Sequence, residues 1–185
     1  MTVAAVVLAA GGASRWNGVG HKLLAELDRQ PLASWAIEAA AAASLDELVI
    51  VTGSTDLTGL IPADATVVHN PRWADGQASS LQVAVAACRT AGHHALVVGL
   101  ADMPGVLAEV WRAVAGVPEP LATATFAGQR RPPVKIAEEL WGELPTAGDL
   151  GARGLIANGV YPVTEVACDG RGDDVDTVED LETWN

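Results

Sequence analysis

Lysine is nearly missing from this sequence. Lys22 and Lys135 are the only two among 185 residues. Basic residues number 11 against 23 acidic ones, so the formal net charge is −12. A surface that acidic repels a nucleic-acid backbone, which excludes DNA and RNA as partners. An anionic small molecule stays possible if the few positive groups gather around it, or if a metal ion bridges it to carboxylates. Cysteine is scarce as well. Cys88 and Cys168 form no C-x-x-C pair and no metal-ligand spacing, which excludes a disulfide framework and reads as reduced thiols in a cytoplasmic protein. Long apolar runs are missing too. The first one ends within ten residues and follows no basic segment, far short of the roughly 20 residues a membrane helix needs. The alanine-rich stretch 36–43 carries Glu38 and reads as a helix of a soluble protein.

What is present is an α/β pattern. Half of the residues are apolar, and the length suits one globular domain, 1–185. Apolar, β-branched runs at 2–8, 47–52, 65–69, 95–100, 121–127, 133–136 and 160–166 read as strands. Helical periodicity marks 31–43, 76–90 (from Gln77), 105–115 and 176–184, with short helices at 137–141 and 149–158. Alternation of this kind predicts a mostly parallel sheet between two helical layers, with ligands at the carboxyl ends of the strands.

Two chemistry-bearing segments fall at such ends. The first is VVLAAGGASRWNGVGHKLL, beginning at Val6. It is not a dinucleotide fingerprint, because the second and third glycines of G-x-G-x-x-G are missing. It is not a P-loop, because Leu23 follows Lys22 where a hydroxyl is required. The chemistry of anion binding nevertheless survives in it. Glycines after a buried strand let backbone N–H groups approach an anion, and Arg15 and Lys22 add charge. The alternative is an ordinary strand-to-helix turn with two solvated cations. The second segment is Leu100-Ala101-Asp102-Met103-Pro104. Asp102 reads either as a metal-binding carboxylate or as the N-cap of a helix opening at Pro104-Gly105.

The set of motifs resembles one family. L-A-A-G-x-x-x-R followed by G and K, N-P-R-W-A-D-G-Q-A-S-S-L at 70–81, L-A-D-M-P at 100–104, G-D-L-G-A-R at 148–153 and D-V-D-T-V-E-D-L at 174–181 are similar, in order, to motifs of the MobA-like nucleotidyltransferases of molybdenum-cofactor synthesis. The molybdopterin cytidylyltransferase branch is the nearest in pattern. The resemblance implies a three-layer α/β/α Rossmann-like fold of the nucleotide-diphospho-sugar transferase type. It also implies transfer of a nucleotidyl group, with pyrophosphate release, to the phosphate of a molybdopterin-like acceptor. A molybdoenzyme or its chaperone follows as a partner.

Residue by residue, the resemblance assigns Leu8, Ala9, Ala10, Gly11 and Gly12 to the nucleotide through backbone groups. Arg15 would hold phosphate, Lys22 would neutralise charge at the α-phosphate, and Asp102 would hold Mg2+. Asn70, Gly76, Ser79 and Ser80 would contact the nucleotide or second substrate, with helix capping as the plainer role of the serines. The segment with Gln129, Arg130 and Arg131 would face the pterin or form a solvated turn. Asp149 reads as an N-cap, and Asp174 and Asp176 as caps or braces of the last helix. Ala10 stands where guanylyl-transferring relatives usually have glycine, which favours CTP over GTP. Three departures stand out: Trp16 replaces a usual methionine, the stretch between Arg15 and Lys22 is slightly long, and Arg131-Pro132 replaces glycine and histidine. The last leaves the acceptor open, so another phosphate acceptor, or a non-catalytic cofactor-binding role, stands as an alternative.

Overall fold

A computed structural model describes residues 1–184. The first strand, β1 (Val3–Ala9), leads into an open loop that ends in a 3-10 turn, Lys22–Leu24. Two two-residue strands follow, β2 (Glu26–Leu27) and β3 (Gln30–Pro31). Asp28 and Arg29 join them with φ of 49° and 69°, as a two-residue turn with both centres left-handed requires. Next come α1 (Leu32–Ala42), β4 (Glu47–Thr52), β5 (Thr66–His69), α2 (Gln77–Thr90) and β6 (Ala95–Leu100). The second half holds α3 (Ala108–Ala115), β7 (Leu121–Phe126), β8 (Gln129–Ala137), α4 (Gly151–Ala157), β9 (Thr164–Ala167) and α5 (Val178–Glu182).

Seven strands form one sheet in the order β5-β4-β1-β6-β8-β7-β9. Only β8 runs against the others, pairing antiparallel with both β6 and β7. Side-chain alternation along the strands builds the two helical layers. Ala5, Val7, Ala9, Ile50 and Val97 face α1 and α3 and pack with Ile37, Val110 and Trp111. Ala4, Val6, Leu8, Val49, Val51 and Val98 face α2 and α4 and pack with Leu81, Val85 and Leu155. Each fully buried Val, Leu or Ile contributes about 1.5–3 kcal/mol, so the central strands, sealed on both faces, hold their carboxyl ends rigidly. Gly99 makes room for Trp111: a Cβ there would stand 2.6 Å from the indole. A third cluster (Leu27, Leu32, Val175) gathers Trp16, Trp35, Leu181 and Trp184, and docks the chain's last segment against the opening loop.

Four expectations shift. The helix expected from Gly105 begins at Ala108, because residues 101–107 form a turn after β6. Gln129, Arg130 and Arg131 lie in β8 rather than in a turn. The turn is Ala127-Gly128, with φ of 48° and 78°, which places the tight hairpin two residues earlier. The late strand is shorter and later than 160–166, and the closing helix spans Val178–Glu182 alone. Among the described residues, no helix is long and apolar enough to cross a membrane.

Candidate active site

A cleft of about 790 Å3 opens at the carboxyl ends of β1 and β6. Leu8, Ala9, Ala10, Gly11, Gly12, Arg15, Lys22, Gly76, Ser80 and Asp102 all line it. Residues 94 positions apart in sequence are brought together because β1 and β6 are neighbours, with Leu8 paired to Leu100 and the Ala101 N–H donating to the Leu8 carbonyl.

Lys22 sits at the centre of the charge. Its Nζ donates to Asp102 Oδ2 at 2.7 Å and to Asp176 Oδ1 at 2.8 Å, and its side chain is 10% exposed. Burial by itself would push the ammonium down, but the two carboxylates outweigh it and hold the pKa above the usual lysine value. Arg15, largely exposed, ion-pairs with Asp176 Oδ2 at 2.7 Å. Burial pushes the Asp102 carboxyl up; Lys22 pulls it back, and Asp174 and Asp176 push it up again. Asp102 Oδ1 is buried and has no hydrogen-bond partner among the described residues. Asp102 is not an N-cap: α3 starts six residues later, with Leu107 at its cap position.

Asp176, expected to cap or brace the last helix, does neither with its side chain. Thr177 is the N-cap of α5, and its hydroxyl and Asp180 form a capping box. The T-x-x-D spelling after Asp176 was the signal that could have freed that carboxylate for the cleft. Asp174 also lines the cleft. Asp149 lines it too, instead of capping α4, whose N-cap position is Leu150 with no side-chain bond.

The wall opposite the glycines is built from 70–80. Gly76 has φ of +99°, and a Cβ there would lie 2.6 Å from the Gly148 carbonyl group, so this contact needs glycine. The Ala78 N–H donates to Gly148 O at 2.9 Å, and the Gly148 N–H to Asp75 O at 3.2 Å, tying the wall to the loop before α4. Asn70 and Ser79 lie behind this wall rather than in the cleft. Asn70 Nδ2 donates to Ser79 Oγ and Ser80 Oγ, both at 2.9 Å, and its Oδ1 accepts the Arg72 N–H. Ser79 Oγ donates back to Arg72 O and Gly76 O. Neither serine caps α2. Trp73 reaches across to the glycine loop, where a Cβ on Gly12 would stand 2.4 Å from its ring. Arg130 is paired with Glu165 at 2.7 Å, and Arg131 bonds Gln129; none of these three residues lines the cleft.

The donor set suits a hard divalent cation. Asp102 offers a carboxylate oxygen with no hydrogen-bond partner among the described residues, and Asp174 and Asp176 add negative charge beside it. Among the described residues no three His, Cys, Asp or Glu side chains form a ready metal cage. Such a site fits Mg2+, which takes one or two carboxylates and fills its shell with phosphate oxygens and water. His93, bonded to Glu47 at 2.5 Å, lies at the other end of the sheet.

Solved structures share this architecture. Rv0371c from Mycobacterium tuberculosis superposes with a TM-score of 0.85 at 26% identity, covering 99% of this chain and 97% of its own. The same protein complexed with manganese gives 0.79 at 26%, covering 100% and 98%. A nucleotidyl transferase from Methanothermobacter thermautotroptrophicus shares the fold, with a TM-score of 0.81 at 22% identity over 98% and 95% of the chains. None of the curated proteins matches. The family model of the MobA-like NTP transferase domain matches residues 5–163. With glycine loop, lysine and aspartate gathered at the ends of the parallel strands, and with that match over most of its length, the chain belongs to the MobA-like NTP transferase family.

Proposed function

We propose that this protein is a Mg2+-dependent nucleotidyltransferase that moves CMP from CTP to the phosphate of a molybdopterin-like acceptor and releases pyrophosphate. The observation that carries the reading is the Lys22–Asp102–Asp176–Arg15 constellation beneath a glycine loop, in a protein with so few cations.

An oxygen of the acceptor phosphate attacks the α-phosphorus in line, the bond to the bridging α,β-oxygen breaks, and its electron pair leaves with pyrophosphate. The acceptor is already ionised, so no strong general base is needed. Backbone groups of residues 8–12 hold the nucleotide, with the N–H groups beyond the end of β1 turned to the triphosphate, and Gly76 and Ser80 close the opposite side. Asn70 and Ser79 hold that wall from behind. Arg15 leaves Asp176 to clamp phosphate. Lys22 turns its ammonium from the carboxylates to the charge growing around the α-phosphate. Asp102, through its free Oδ1, would hold the magnesium ion, which supplies Lewis-acid charge neutralisation when bound.

A different phosphate acceptor is the second reading. It is favoured by the place of Gln129, Arg130 and Arg131, which stand away from the cleft where a pterin-facing segment was expected. A screen of nucleoside triphosphates against acceptors, read by pyrophosphate release, tests both. Release with CTP and molybdopterin supports the first; release with another phosphate acceptor alone moves the assignment to the second. No release with any pair refutes catalysis and leaves a cofactor-binding role.

A further inference from the structure

Next to Lys22, within the opening glycine segment, stands a histidine to which neither the motif nor the proposed reaction gives a role. His21 Nε2 lies 3.0 Å from the Gly11 carbonyl and 3.0 Å from Ser54 Oγ. Its Nδ1 accepts the Leu23 N–H at 3.3 Å, which makes it the cap of the turn that carries Lys22. Ser54 Oγ donates to the same Gly11 carbonyl at 2.6 Å. These contacts fix the tautomer. A backbone N–H can only donate, so Nδ1 carries no proton; a carbonyl can only accept, so Nε2 carries one. One neutral ring therefore joins the glycine loop, the end of β4 and the Lys22 turn.

We propose that His21 is a positioning residue: in its neutral Nε2–H form it clasps Gly11 to the Lys22 turn, so that both halves of the anion cradle are held in one geometry. This rests on the reading that the cleft binds a triphosphate. In a trans peptide the N–H lies opposite the C=O, so pinning the Gly11 carbonyl also fixes the direction of the Gly12 N–H. Between the two clasped points residues 12–20 form no strand or helix, and the clasp closes that loop at its base. Burial, and then the Lys22 charge, hold the His21 pKa below 6.5 against the opposing pull of the Gly11 carbonyl. The ring is thus neutral at pH 7. Once protonated, it would point an Nδ1–H at the Leu23 N–H, and the cap would be lost.

His21→Asn separates the two halves of the clasp, since asparagine still caps a turn but is too short to reach Gly11. The ring-nitrogen NMR spectrum of the wild-type protein should show a neutral, Nε2-protonated imidazole at pH 7; an Nδ1-protonated or charged ring overturns the proposal. Hydrogen exchange of the bonded Trp16, Leu24 and Ala25 amides, in the loop and in the turn that His21 caps, needs no nucleotide. It should quicken about ten-fold in His21→Asn, and unchanged rates overturn the clasp even if the functional reading holds. CTP affinity by calorimetry then tests its consequence. The variant should bind about 5- to 10-fold more weakly at pH 7.5, and the gap should close as pH falls below 6.5. The terminal phosphate of CTP titrates in the same range, so the readout is the difference between wild type and variant. A pH-independent gap, or none, contradicts the positioning role. If the wild type binds no triphosphate, the functional reading fails while spectrum and exchange still decide the clasp. Ser54→Ala, which removes one of the two donors to Gly11, should give the same effects in weaker form.

Discussion

Lys22→Met keeps the apolar stem of the side chain and deletes the charge between Asp102 and Asp176. Two contacts vanish, at 2.7 and 2.8 Å. At an effective dielectric of about 20, each is worth roughly 6 kcal/mol of bare attraction, most of it offset by the desolvation of the three groups. Breaking a buried pair by removing one partner costs about 3–5 kcal/mol. Asp176 keeps Arg15, which places this loss at the low end, about 3 kcal/mol at pH 7. A chain of this size loses roughly 2–4 °C per kcal/mol, so melting should fall by about 6–12 °C. The sign with pH follows from the raised lysine pKa. Its contribution is complete below 10.5, the unfolded value, and is lost as pH rises through the higher folded value. Wild type should therefore converge on the variant in strong alkali. At acid pH the gap should also narrow as the Asp102 carboxyl, which burial pushes up, takes a proton. In catalysis, removing a charge aimed at the transition state costs on the order of 100-fold in rate, with little change in nucleotide affinity. Mn2+ should bind the nucleotide-free variant more tightly, because the competing ammonium is gone. Thermal melts across pH and single-turnover kinetics read these effects. A melting point within about 2 °C of wild type, together with a rate within a few-fold, would show that Lys22 neither holds the two carboxylates nor acts in catalysis.

Asp102→Asn should abolish metal-dependent turnover and lower the melting point by less than Lys22→Met does, because burial already disfavours the charged carboxyl and Lys22 keeps Asp176; unchanged activity in Mg2+ would remove it from the metal site. Gly12→Ala should cost about 1–3 kcal/mol because its Cβ meets the Trp73 ring at 2.4 Å, whereas Gly11→Ala, with nothing within 4 Å, should cost under about 0.5 kcal/mol; urea titration compares them, and equal losses would contradict the packing account. Lys135→Met should be neutral or stabilising by about 1 kcal/mol. That ammonium is buried against the Val117 carbonyl, with its pKa lowered chiefly by burial. The cost of the charge is present below the folded value and fades as pH rises towards 10.5, so wild type should gain on the variant in alkali; a clear loss of stability in the variant at pH 7 would count against this. CTP should bind more tightly than GTP in the presence of Mg2+, and the reverse order would sink the cytidylyl assignment.

The sheet was legible because its central strands are buried on both faces. The apolar runs 48–51 (LVIV) and 95–100 (ALVVGL) carry no polar residue that would set a helical period. The glycine loop, Arg15, Lys22 and Asp102 were legible as chemistry-bearing groups at strand ends, and the fold brings them to one cleft. Asp176 was not read correctly, because its neighbours Thr177 and Asp180 supply the cap that was credited to it. Asn70 and Ser79 carry the right chemistry in the right motif, yet their hydrogen bonds are spent on the wall itself; only the turn through Gly76 shows which way they face. His21 and Trp73 were not legible as site builders, since their roles rest on fold contacts: His21 folds back on Gly11 at the far end of its own loop and reaches Ser54 beyond β4, and Trp73 packs on Gly12.

The most direct test of the central claim follows CTP labelled at the α-phosphorus, with Mg2+ and molybdopterin, in the wild type and in Asp102→Asn. The label should move to the acceptor with one pyrophosphate released per transfer, chelation of the metal should stop it, and Asp102→Asn should not perform it. Label staying in CTP with every acceptor tried, or moving equally well in Asp102→Asn, would contradict that claim.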